Sequence, residues 1–389
     1  MTIKRQIIIK SPLNKSEDIM DIRLVHTPEG VRDIYGTECT DRISIEDKIR
    51  AKFKSYGFRD IETPTFEFFD VFAKEISATS AKELYKFFDK EGNTLVLRPD
   101  FTPSMARCVS KYFLEKDTPV RICYKGNTFL NTSNLQGKLK ESTEMGVELM
   151  NDDSVYADAE MIALMIESLL TSGLTDFQIS VGNAEYFKGI CEEAGIEDEF
   201  EADIREQLAA RNYFAAENIM NEKNIDEKYI RMITKVSEFM GSEDALETAA
   251  SQVNNKKSLE AIDRLKAVYK TLTSYGLEKY VSFDLGLISN NNYYTGVIFN
   301  AYTYGVGDAI AKGGRYDNLM DKFGDPAPAI GFMIVVDDLM AALYRQNVEL
   351  EHEAAPVVVY YDNDNYLEAL QKVQDMRAKG INVVLTASK

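Results

Sequence analysis

The stretch that decides the fold runs from residue 94 to residue 103: Thr94-Leu95-Val96-Leu97-Arg98-Pro99-Asp100-Phe101-Thr102-Pro103. Its first four residues predict a β-strand, because apolar and β-branched residues fit a pleated, half-buried surface. Asp100 and Thr102 follow the strand with one residue between them. An acidic residue two positions before a threonine is common in turns, so the stretch gains meaning only from the segments around it.

Outward from this stretch, the apolar pattern predicts a sheet with helices beside it. Strands are predicted at residues 60–69, 120–124, 144–149, 177–181, 281–285, 293–304 and 329–336. Residues 41–56 predict a helix, because Ile45, Ile49 and Phe53 recur at four-residue spacing and Gly57 follows them. A second helix is predicted over residues 157–170. Pro64 interrupts the first strand, which places it at a sheet edge or a bulge.

Two composition changes divide the chain. Residues 185–278 are rich in Glu, Lys, Ala and Leu and have few strand signals, which indicates a mostly helical insertion within the sheet domain. After a Glu-rich linker, residues 354–389 have the pattern of a short β-α-β segment. We therefore predict a leader at residues 1–26, a main domain at residues 27–348 and a small C-terminal segment.

Composition limits the function. The net charge of the 389-residue chain is −18, which disfavours strong nucleic-acid binding, because that affinity depends largely on Lys and Arg. Four scattered cysteines suggest neither a zinc site nor a dense disulfide framework. No apolar run approaches the ~20 residues of a membrane span. We expect a soluble cytoplasmic protein without a metal or another cofactor.

Three further segments carry recognisable motifs: Tyr293-Tyr294-Thr295-Gly296, Gly313-Gly314-Arg315-Tyr316-Asp317 and Pro328-Ala329-Ile330-Gly331-Phe332-Met333. Taken alone, each has an ordinary explanation, since tyrosines in strands usually pack and paired glycines usually form turns. Chemically, however, carboxylates and tyrosines together suit a pocket for an amino acid. Glu144 and Glu148 would add acceptors, because their even spacing places both on one strand face.

In this order and spacing, the motifs resemble those of histidyl-tRNA synthetase over most of the chain. The resemblance implies an α+β class II synthetase fold, an antiparallel sheet flanked by helices, and a C-terminal segment that matches only the start of the anticodon-binding domain. It also implies a histidine pocket. The implied pocket residues are Asp100, Thr102, Glu144, Glu148, Tyr294, Arg315 and Tyr316, although the family has glutamine where this chain has Glu144.

The positions that activate an amino acid with ATP differ from that family. Leu130 and Ser289 stand where the resemblance implies two arginines, and Asp338 stands where it implies a third. Fixed positive charge stabilises the pentavalent phosphorus transition state, and removing one such group typically costs about 10²–10³ in rate. Three losses indicate a protein that recognises an amino acid without forming an adenylate.

Two segments, Thr27-Pro28-Glu29-Gly30-Val31-Arg32-Asp33 and Asp100-Phe101-Thr102-Pro103, resemble a family related to the synthetases more than the synthetases themselves. That family is the regulatory subunit of the short-form ATP phosphoribosyltransferase, the first enzyme of histidine biosynthesis. That resemblance implies a homodimer through the first helix and the strand at Pro64, a hetero-oligomer with a catalytic subunit, and histidine as the feedback effector. Two alternatives stay open at this stage: a divergent histidyl-tRNA synthetase, and a stand-alone sensor of histidine or tRNA.

Overall fold

The computed structural model describes residues 25–73, 80–113, 118–132, 138–288, 293–350 and 355–388. These residues form two compact units. The larger unit comprises residues 45–348 and the segment before residue 35, and the smaller comprises residues 35–44 and 349–389. The expected leader at residues 1–26 lies almost entirely outside the described residues, and the predicted domain boundaries remain predictions.

The described chain contains both α-helices and β-strands. The α-helices are α1 (Gly36–Ser55), α2 (Asp70–Ala73), α3 (Thr102–Tyr112), α4 (Val155–Thr171), α5 (Ala184–Glu193), α6 (Asp198–Ala209), α7 (Tyr213–Glu222), α8 (Glu227–Thr234), α9 (Glu243–Gln252), α10 (Lys256–Tyr275), α11 (Val336–Arg345) and α12 (Tyr366–Ala378). The strands are β1 (Arg59–Asp60), β2 (Phe66–Phe68), β3 (Lys86–Phe88), β4 (Thr94–Leu97), β5 (Val120–Phe129), β6 (Glu141–Met150), β7 (Phe177–Asn183), β8 (Met240–Gly241), β9 (Val281–Asp284), β10 (Val297–Thr303), β11 (Ala311–Arg315), β12 (Ala329–Val335), β13 (Val357–Tyr361) and β14 (Val383–Ala387). Short 3₁₀ turns occur at Ser80–Glu83, Val236–Glu238, Glu278–Tyr280 and Met320–Lys322. No described helix combines the length and the apolar character that crossing a bilayer requires.

A nine-stranded sheet organises the larger unit, in the order β1-β5-β6-β12-β11-β10-β7-β9-β8. The pairs from β5 to β7 are antiparallel, whereas β1 with β5 and β7 with β9 are parallel. A separate three-stranded sheet has the order β2-β4-β3. The architecture is α+β, and the expectation of an antiparallel sheet needs only the addition of the two parallel pairs near its edges.

Local sequence explains where the main helices begin and end. In α1, Ile45, Ile49 and Phe53 are at most 1 % exposed, so the four-residue spacing marks the buried stripe as predicted. Helix α4 begins after Ser154, whose hydroxyl accepts the backbone N–H of Ala157 at 3.1 Å. Its interior is almost completely buried, which places α4 against one face of the large sheet.

The predicted strand over residues 60–69 is wrong as a single element. The structure has β1 and β2 there, and residues 61–65 between them are irregular. Pro64 cannot donate to a strand ladder, and the carbonyl oxygens of Thr63 and Pro64 instead accept Nη1 of Arg98 at 2.9 and 3.3 Å. The buried Arg98 guanidinium therefore satisfies two carbonyl oxygens that have no partner in a neighbouring strand.

Two other expectations need adjustment. The strand predicted over residues 293–304 begins only at Val297, and the residues before it form a turn whose Thr295 N–H donates to the Arg315 carbonyl at 2.8 Å. The helical insertion is largely as predicted and contains α5 to α10. It also contributes β8, which pairs with β9 and extends the sheet at its edge.

The smaller unit contains the predicted β-α-β segment. Strands β13 and β14 are parallel, and α12 connects them. Its core is small and consists of Val359, Ala369, Val373 and Val383. The chain order and the parallel pairing are those of a single crossover unit, in agreement with the sequence pattern.

A buried ion-pair network joins the sheet to two helices of the larger unit. Asp158 on α4 is completely buried and accepts Nη2 of Arg315 on β11 at 2.6 Å. Its second oxygen accepts Nε of Arg264 on α10 at 2.6 Å. Arg315 is itself 2 % exposed. Removing one member of such a network leaves an uncompensated buried charge, which is more costly than the loss of a surface pair.

We predict that Asp158→Ala lowers the free energy of unfolding of the larger unit by about 3–5 kcal/mol, because two arginines lose their shared carboxylate. Glu260→Ala, which breaks the exposed pair with Lys256, should cost about 0–1 kcal/mol. Urea unfolding followed by circular dichroism measures both. Equal effects of the two substitutions would show that the network does not hold the unit together.

Candidate functional site

A cavity of about 530 Å³ opens on the face of the large sheet opposite Asp158. Its walls come from the central strands, the start of α3, the turn before β10 and the end of the insertion helix α6. Six of the seven predicted pocket residues line it: Asp100, Thr102, Glu144, Glu148, Tyr294 and Tyr316. Their placement is that of a single site, and their role in binding histidine remains a prediction.

Glu148 lies at the centre of this cavity. It is 1 % exposed, and its carboxylate accepts the Tyr316 hydroxyl at 2.5 Å and the Thr102 hydroxyl at 3.1 Å. Tyr316 follows β11 and Thr102 begins α3, so one strand residue joins two distant segments. The strand alternation that places Glu148 in the cavity also places Glu144 there, as its even spacing predicted.

Two more carboxylates converge on the same space. Asp100 accepts the Thr102 backbone N–H at 2.9 Å and the Tyr293 hydroxyl at 3.2 Å. Glu144 accepts the Thr128 hydroxyl at 2.9 Å. Among the described residues, the hydrogen-bond partners of all three carboxylates are neutral. The cavity therefore contains either several negatively charged carboxylates close together or carboxyl groups that have taken up protons.

Burial is the main cause of an altered titration here. Burial and, to a smaller extent, the nearby Asp100 carboxylate raise the pKa of Glu144 to about 8, while the hydrogen bond from Thr128 opposes the change. Burial likewise raises the pKa of Glu148 to about 8, against the opposing hydrogen bond from Tyr316. The pKa of Asp100 is raised for the same reason. A cation in the cavity would favour the ionised forms of all three groups.

Aromatic rings form the apolar walls. Tyr293 packs edge to face against Tyr294 and Tyr316, with ring centroids 4.9 and 5.9 Å apart. Tyr124 adds a further ring, which stacks on Phe101 at 4.3 Å. Such rings offer flat apolar surfaces together with polar hydroxyl groups, a combination suited to a flat heteroaromatic ligand.

Glycines in the central strands make room for these side chains. A Cβ atom on Gly331 would overlap the Glu148 carboxylate, and one on Gly314 would lie 2.6 Å from the Tyr294 ring. Gly331 and Gly314 face each other across β12 and β11. The paired glycines therefore form a thin floor on which the carboxylate and the ring can lie close to the backbone.

Arg315 is the one predicted pocket residue that does not line the cavity. It follows Gly314 on β11, so its side chain points to the other face of the sheet and bonds to Asp158. Its remaining bonds are to the Asp152 carbonyl at 3.0 Å and to Asp317 at 3.2 Å. The observed position supports a structural role for Arg315.

The two described positions that lack the expected arginines, Leu130 and Asp338, lie at or beside the same cavity. Leu130 lines it directly. Asp338 lies in the first turn of α11, where burial and the neighbouring Asp308 and Asp337 raise the pKa of its carboxyl group. Ser289 lies outside the described residues. The two described positions thus have an apolar side chain and an acid, and the loss of ATP-dependent activation at them stays a prediction.

Three charged residues that line the cavity were not among the predicted site residues: Glu83, Asp308 and Lys312. Lys312 and Asp308 both line the cavity, and Lys312 Nζ lies 3.2 Å from a carboxylate oxygen of Asp308. Among the described lining residues, Lys312 is the only lysine or arginine. Strand alternation gave a usable signal, because Lys312 is two positions before Gly314 and therefore faces the same side.

Comparison with known families identifies the class to which this site belongs. Residues 30–339 match the family model described as Histidyl-tRNA synthetase, and the chain belongs to that class of proteins. A solved structure of histidyl-tRNA synthetase from Nostoc superimposes with a TM-score of 0.75 over 94 % of this chain and 86 % of the other, at 21 % identity. The predicted class II synthetase-like fold is confirmed.

Within that class, the chain belongs to the family of ATP phosphoribosyltransferase regulatory subunits. Relatives with that name from Acetivibrio thermocellus and Clostridium kluyveri are 38 % and 36 % identical to it, over 92 % and 93 % of this chain and 86 % and 93 % of theirs. A structure from Bacillus halodurans, described as an ATP phosphoribosyltransferase regulatory subunit/histidyl-tRNA synthetase, has a TM-score of 0.84 at 31 % identity, covering 94 % of this chain and 93 % of the other. The chain is a regulatory subunit and not the catalytic enzyme, as its sequence predicted.

The raised pKa values of Glu144 and Glu148 predict how stability changes with pH. Both values exceed the ordinary 4.5, so the folded chain keeps protons that the unfolded chain releases. Their contribution to stability is full below pH 4.5 and is lost as pH rises toward 8. Over this window each group should lower the free energy of unfolding by about 1.4 kcal/mol per pH unit.

Glu144→Gln or Glu148→Gln should remove one such contribution and flatten the dependence, since glutamine keeps the shape without titrating. Urea unfolding of the ligand-free chain at several pH values between about 5.5 and 7.5 measures the slope. Glu260→Gln, at an exposed position, serves as the control. Parallel slopes for the wild type and both cavity variants would contradict the prediction.

Proposed function

We propose that this regulatory subunit binds histidine in the cavity and thereby adjusts the activity of a catalytic ATP phosphoribosyltransferase subunit of the short form. The observation that carries the proposal is the convergence of Asp100, Glu144 and Glu148 in one cavity with tyrosine walls. The product of the pathway would then regulate its first step.

The acidic side of the cavity suits the α-ammonium group of an amino acid. Asp100, Glu144 and the Thr102 hydroxyl offer acceptors to a group that has three N–H donors. Burial makes the ionised carboxylates unfavourable without a cation, so a bound ammonium would relieve a cost that the empty cavity has. The site therefore favours a ligand with a positive charge.

The aromatic side of the cavity suits an imidazole ring. Tyr294 and Tyr316 both line it, and the Glu148 carboxylate lies between the hydroxyls of Tyr316 and Thr102. An imidazole N–H would donate to Glu148 while the ring lies beside Tyr294, because Glu148 and Tyr294 themselves lie on the floor formed by Gly331 and Gly314. A ligand with both a ring N–H and an ammonium satisfies the two sides at once, and histidine has this combination.

The same cavity is unsuited to activating histidine. Leu130 offers no hydrogen bond to a phosphate, and Asp338 and Asp308 would repel a triphosphate. Binding without reaction allows histidine to act as an equilibrium signal. If histidine prefers one assembly state of the complex, linkage requires that it shift the population toward that state.

The shape of the cavity suggests how such a preference arises. Its lining joins Gly331 in the central sheet, Thr102 at the start of α3 and Ala209 at the end of insertion helix α6. A ligand that contacts all three elements would restrict their movement against one another. A ligand regulates a protein only if it binds one conformational state better than another. Restricting these three elements would provide such a difference.

We further propose a homodimer, formed through the first helix and the segment at Pro64. The three-stranded sheet next to this segment exposes Phe66, Phe68 and Phe87 by 52 %, 54 % and 37 %. Phe66 and Phe87 are in contact, with ring centroids 5.8 Å apart. Clustered exposed aromatic residues often mark a protein interface. We also propose that the complex acts in the cytoplasm and without nucleic acid.

For ligand binding, we predict that Glu148→Gln weakens histidine affinity by about 10- to 100-fold, because a charge-assisted hydrogen bond is lost. Isothermal titration calorimetry measures the affinity. Above pH 6 the same variant should be more stable than the wild type, so weaker binding cannot be attributed to unfolding. Glu260→Gln should bind as the wild type does. Unchanged affinity in Glu148→Gln would exclude this cavity as the histidine site.

For assembly, we predict that the chain co-purifies with a short-form catalytic subunit and that the complex contains at least two copies of this chain. Light scattering of the chain alone should report a dimer, and Phe68→Glu should yield a monomer because it places charge in the aromatic cluster. Phe214→Glu, at an exposed position on α7, is the matched control. A monomeric wild-type chain, or no co-purification, would contradict the assembly.

A further inference from the structure

The cavity has acceptors for an ammonium and for an imidazole N–H, but a histidine molecule also has a carboxylate. Glu144, Glu148 and Asp100 would repel that group, so the cavity needs a cation at another point. The two described positions that lack arginine, Leu130 and Asp338, supply none. The question is therefore which residue of this chain faces the third group of the ligand.

The strand register locates Lys312 relative to the glycine floor. Gly331 on β12 pairs with Gly314 on β11, and Lys312 is two residues before Gly314 on the same strand. Lys312 itself lies between Met333 on β12 and Asn300 on β10. Two strand residues span about 7 Å, so Lys312 lies one row of side chains away from the floor.

The positions of Glu144 and Glu148 on β6 show on which side of the glycine floor Lys312 lies. Glu148 pairs with Gly331, which puts it in the row of the floor, and Glu144 lies four residues earlier on β6. Gly146 is between them and pairs with Met333, the neighbour of Lys312. Lys312 is thus on the side of the floor toward Glu144, but two strands across the sheet from β6. An amino acid with its ring beside Glu148 would have its backbone atoms between Lys312 and Glu144.

We propose that the Lys312 ammonium binds the α-carboxylate of the bound ligand, while Glu144 and Asp100 bind the α-ammonium. This inference rests on the proposed function, since it assigns the remaining polar group of the same ligand. Lys312 lies on one side of the ligand, and Glu144 and Asp100 lie on the other. Opposite charges on two sides match the zwitterion of an amino acid. Lys312 on β11 would thus supply the positive charge for the ligand. The resemblance implies arginines for this region at the positions of Leu130, Ser289 and Asp338.

Two other described cations near the cavity, Arg98 and Arg315, have partners that hold them elsewhere. Arg98 donates to the Asn127 carbonyl at 2.8 Å and stacks over the Phe101 ring at 4.0 Å. Arg315 is held by Asp158 on the far face of the sheet. Neither guanidinium lines the cavity. Among the described residues, Lys312 therefore has the position that the carboxylate requires.

The existing pair of Lys312 leaves room for a ligand. Its Nζ contacts Asp308 at 3.2 Å, and Lys138 contacts the other oxygen of Asp308 at 3.5 Å. An ammonium has three donors, so Lys312 can keep Asp308 and bind a carboxylate as well. Its side chain is 38 % exposed, which allows the movement that binding needs.

This assignment predicts selectivity against close analogues. Histamine has the imidazole and the ammonium of histidine but lacks its carboxylate. A site that has Lys312 as the carboxylate partner should prefer histidine, whereas a site that reads only the ring and the ammonium should not. A group built to bind a polar feature discriminates because it stays unpaired when that feature is missing.

The test is calorimetric titration of the full chain with histidine and with histamine. For Lys312→Met, histidine affinity should fall by about 10- to 100-fold, while histamine affinity changes by less than about threefold. Lys138→Met removes the other partner of Asp308 and should leave both affinities as in the wild type. Lys312→Arg should restore most of the histidine affinity.

The outcomes separate this inference from the proposed function. Wild-type chain that binds neither ligand refutes histidine binding in the cavity and, with it, the Lys312 assignment. Wild-type chain that binds histidine, with Lys312→Met weakening both ligands equally or neither, refutes the assignment alone. A loss confined to histidine supports both. Thermal unfolding of each variant, expected to match the wild type, confirms that the comparison concerns binding.

Discussion

The contact of Glu148 with Tyr316 and Thr102 is the constraint on which the site depends. A carboxylate that is 1 % exposed must have hydrogen-bond partners, and these two hydroxyls come from segments more than 200 residues apart in sequence. Gly331 must lack a side chain for the carboxylate to lie where it does. One buried acid thus joins the start of α3, the end of β11 and the floor of the cavity.

The opposite face of the sheet has a different kind of polar contact. There Asp158 has two arginine partners, and the charges compensate one another. In the cavity, Asp100, Glu144 and Glu148 have only neutral partners among the described residues, and burial raises the pKa of each. The compensated network stabilises the fold, whereas the uncompensated group is suited to a cationic ligand.

Much of this organisation could be predicted from sequence, because it depends on short-range periodicity. The four-residue spacing of Ile45 and Ile49 predicted a buried helix stripe, and the even spacing of Glu144 and Glu148 predicted a shared strand face. Features that depend on strand register or on the packing of distant helices could not be predicted in the same way. Asp158 and Arg264 are 106 positions apart and meet only because α4 and α10 pack together.

Arg315 and Lys312 show that the direction of a side chain was also difficult to predict. Arg315 was assigned to the pocket by resemblance, although its alternation with Gly314 on β11 directs it to the other face. Lys312 was overlooked because it belongs to none of the motifs. Its alternation with Gly314 places it on the cavity face, but its position relative to Glu144 depends on the pairing of three strands. Motif matching identified the right segments but not the direction of each side chain within them.

The family membership adds a regulatory role to a fold that is shared with a synthetase. A fold does not determine function, and we propose that here the difference lies in a few side chains of one cavity. The cavity has acidic and aromatic residues that suit an amino acid, while Leu130 and Asp338 stand where the resemblance implies arginine. Under this proposal the site reports a concentration instead of driving a reaction.

We propose that this cavity senses histidine on behalf of a catalytic partner. The most direct measurement is the inhibition of reconstituted ATP phosphoribosyltransferase by histidine, with the regulatory subunit either wild type or Glu148→Gln. The account predicts that both complexes are active without histidine and that the variant requires about 10- to 100-fold more histidine for the same inhibition. Identical inhibition curves for the two complexes would contradict it.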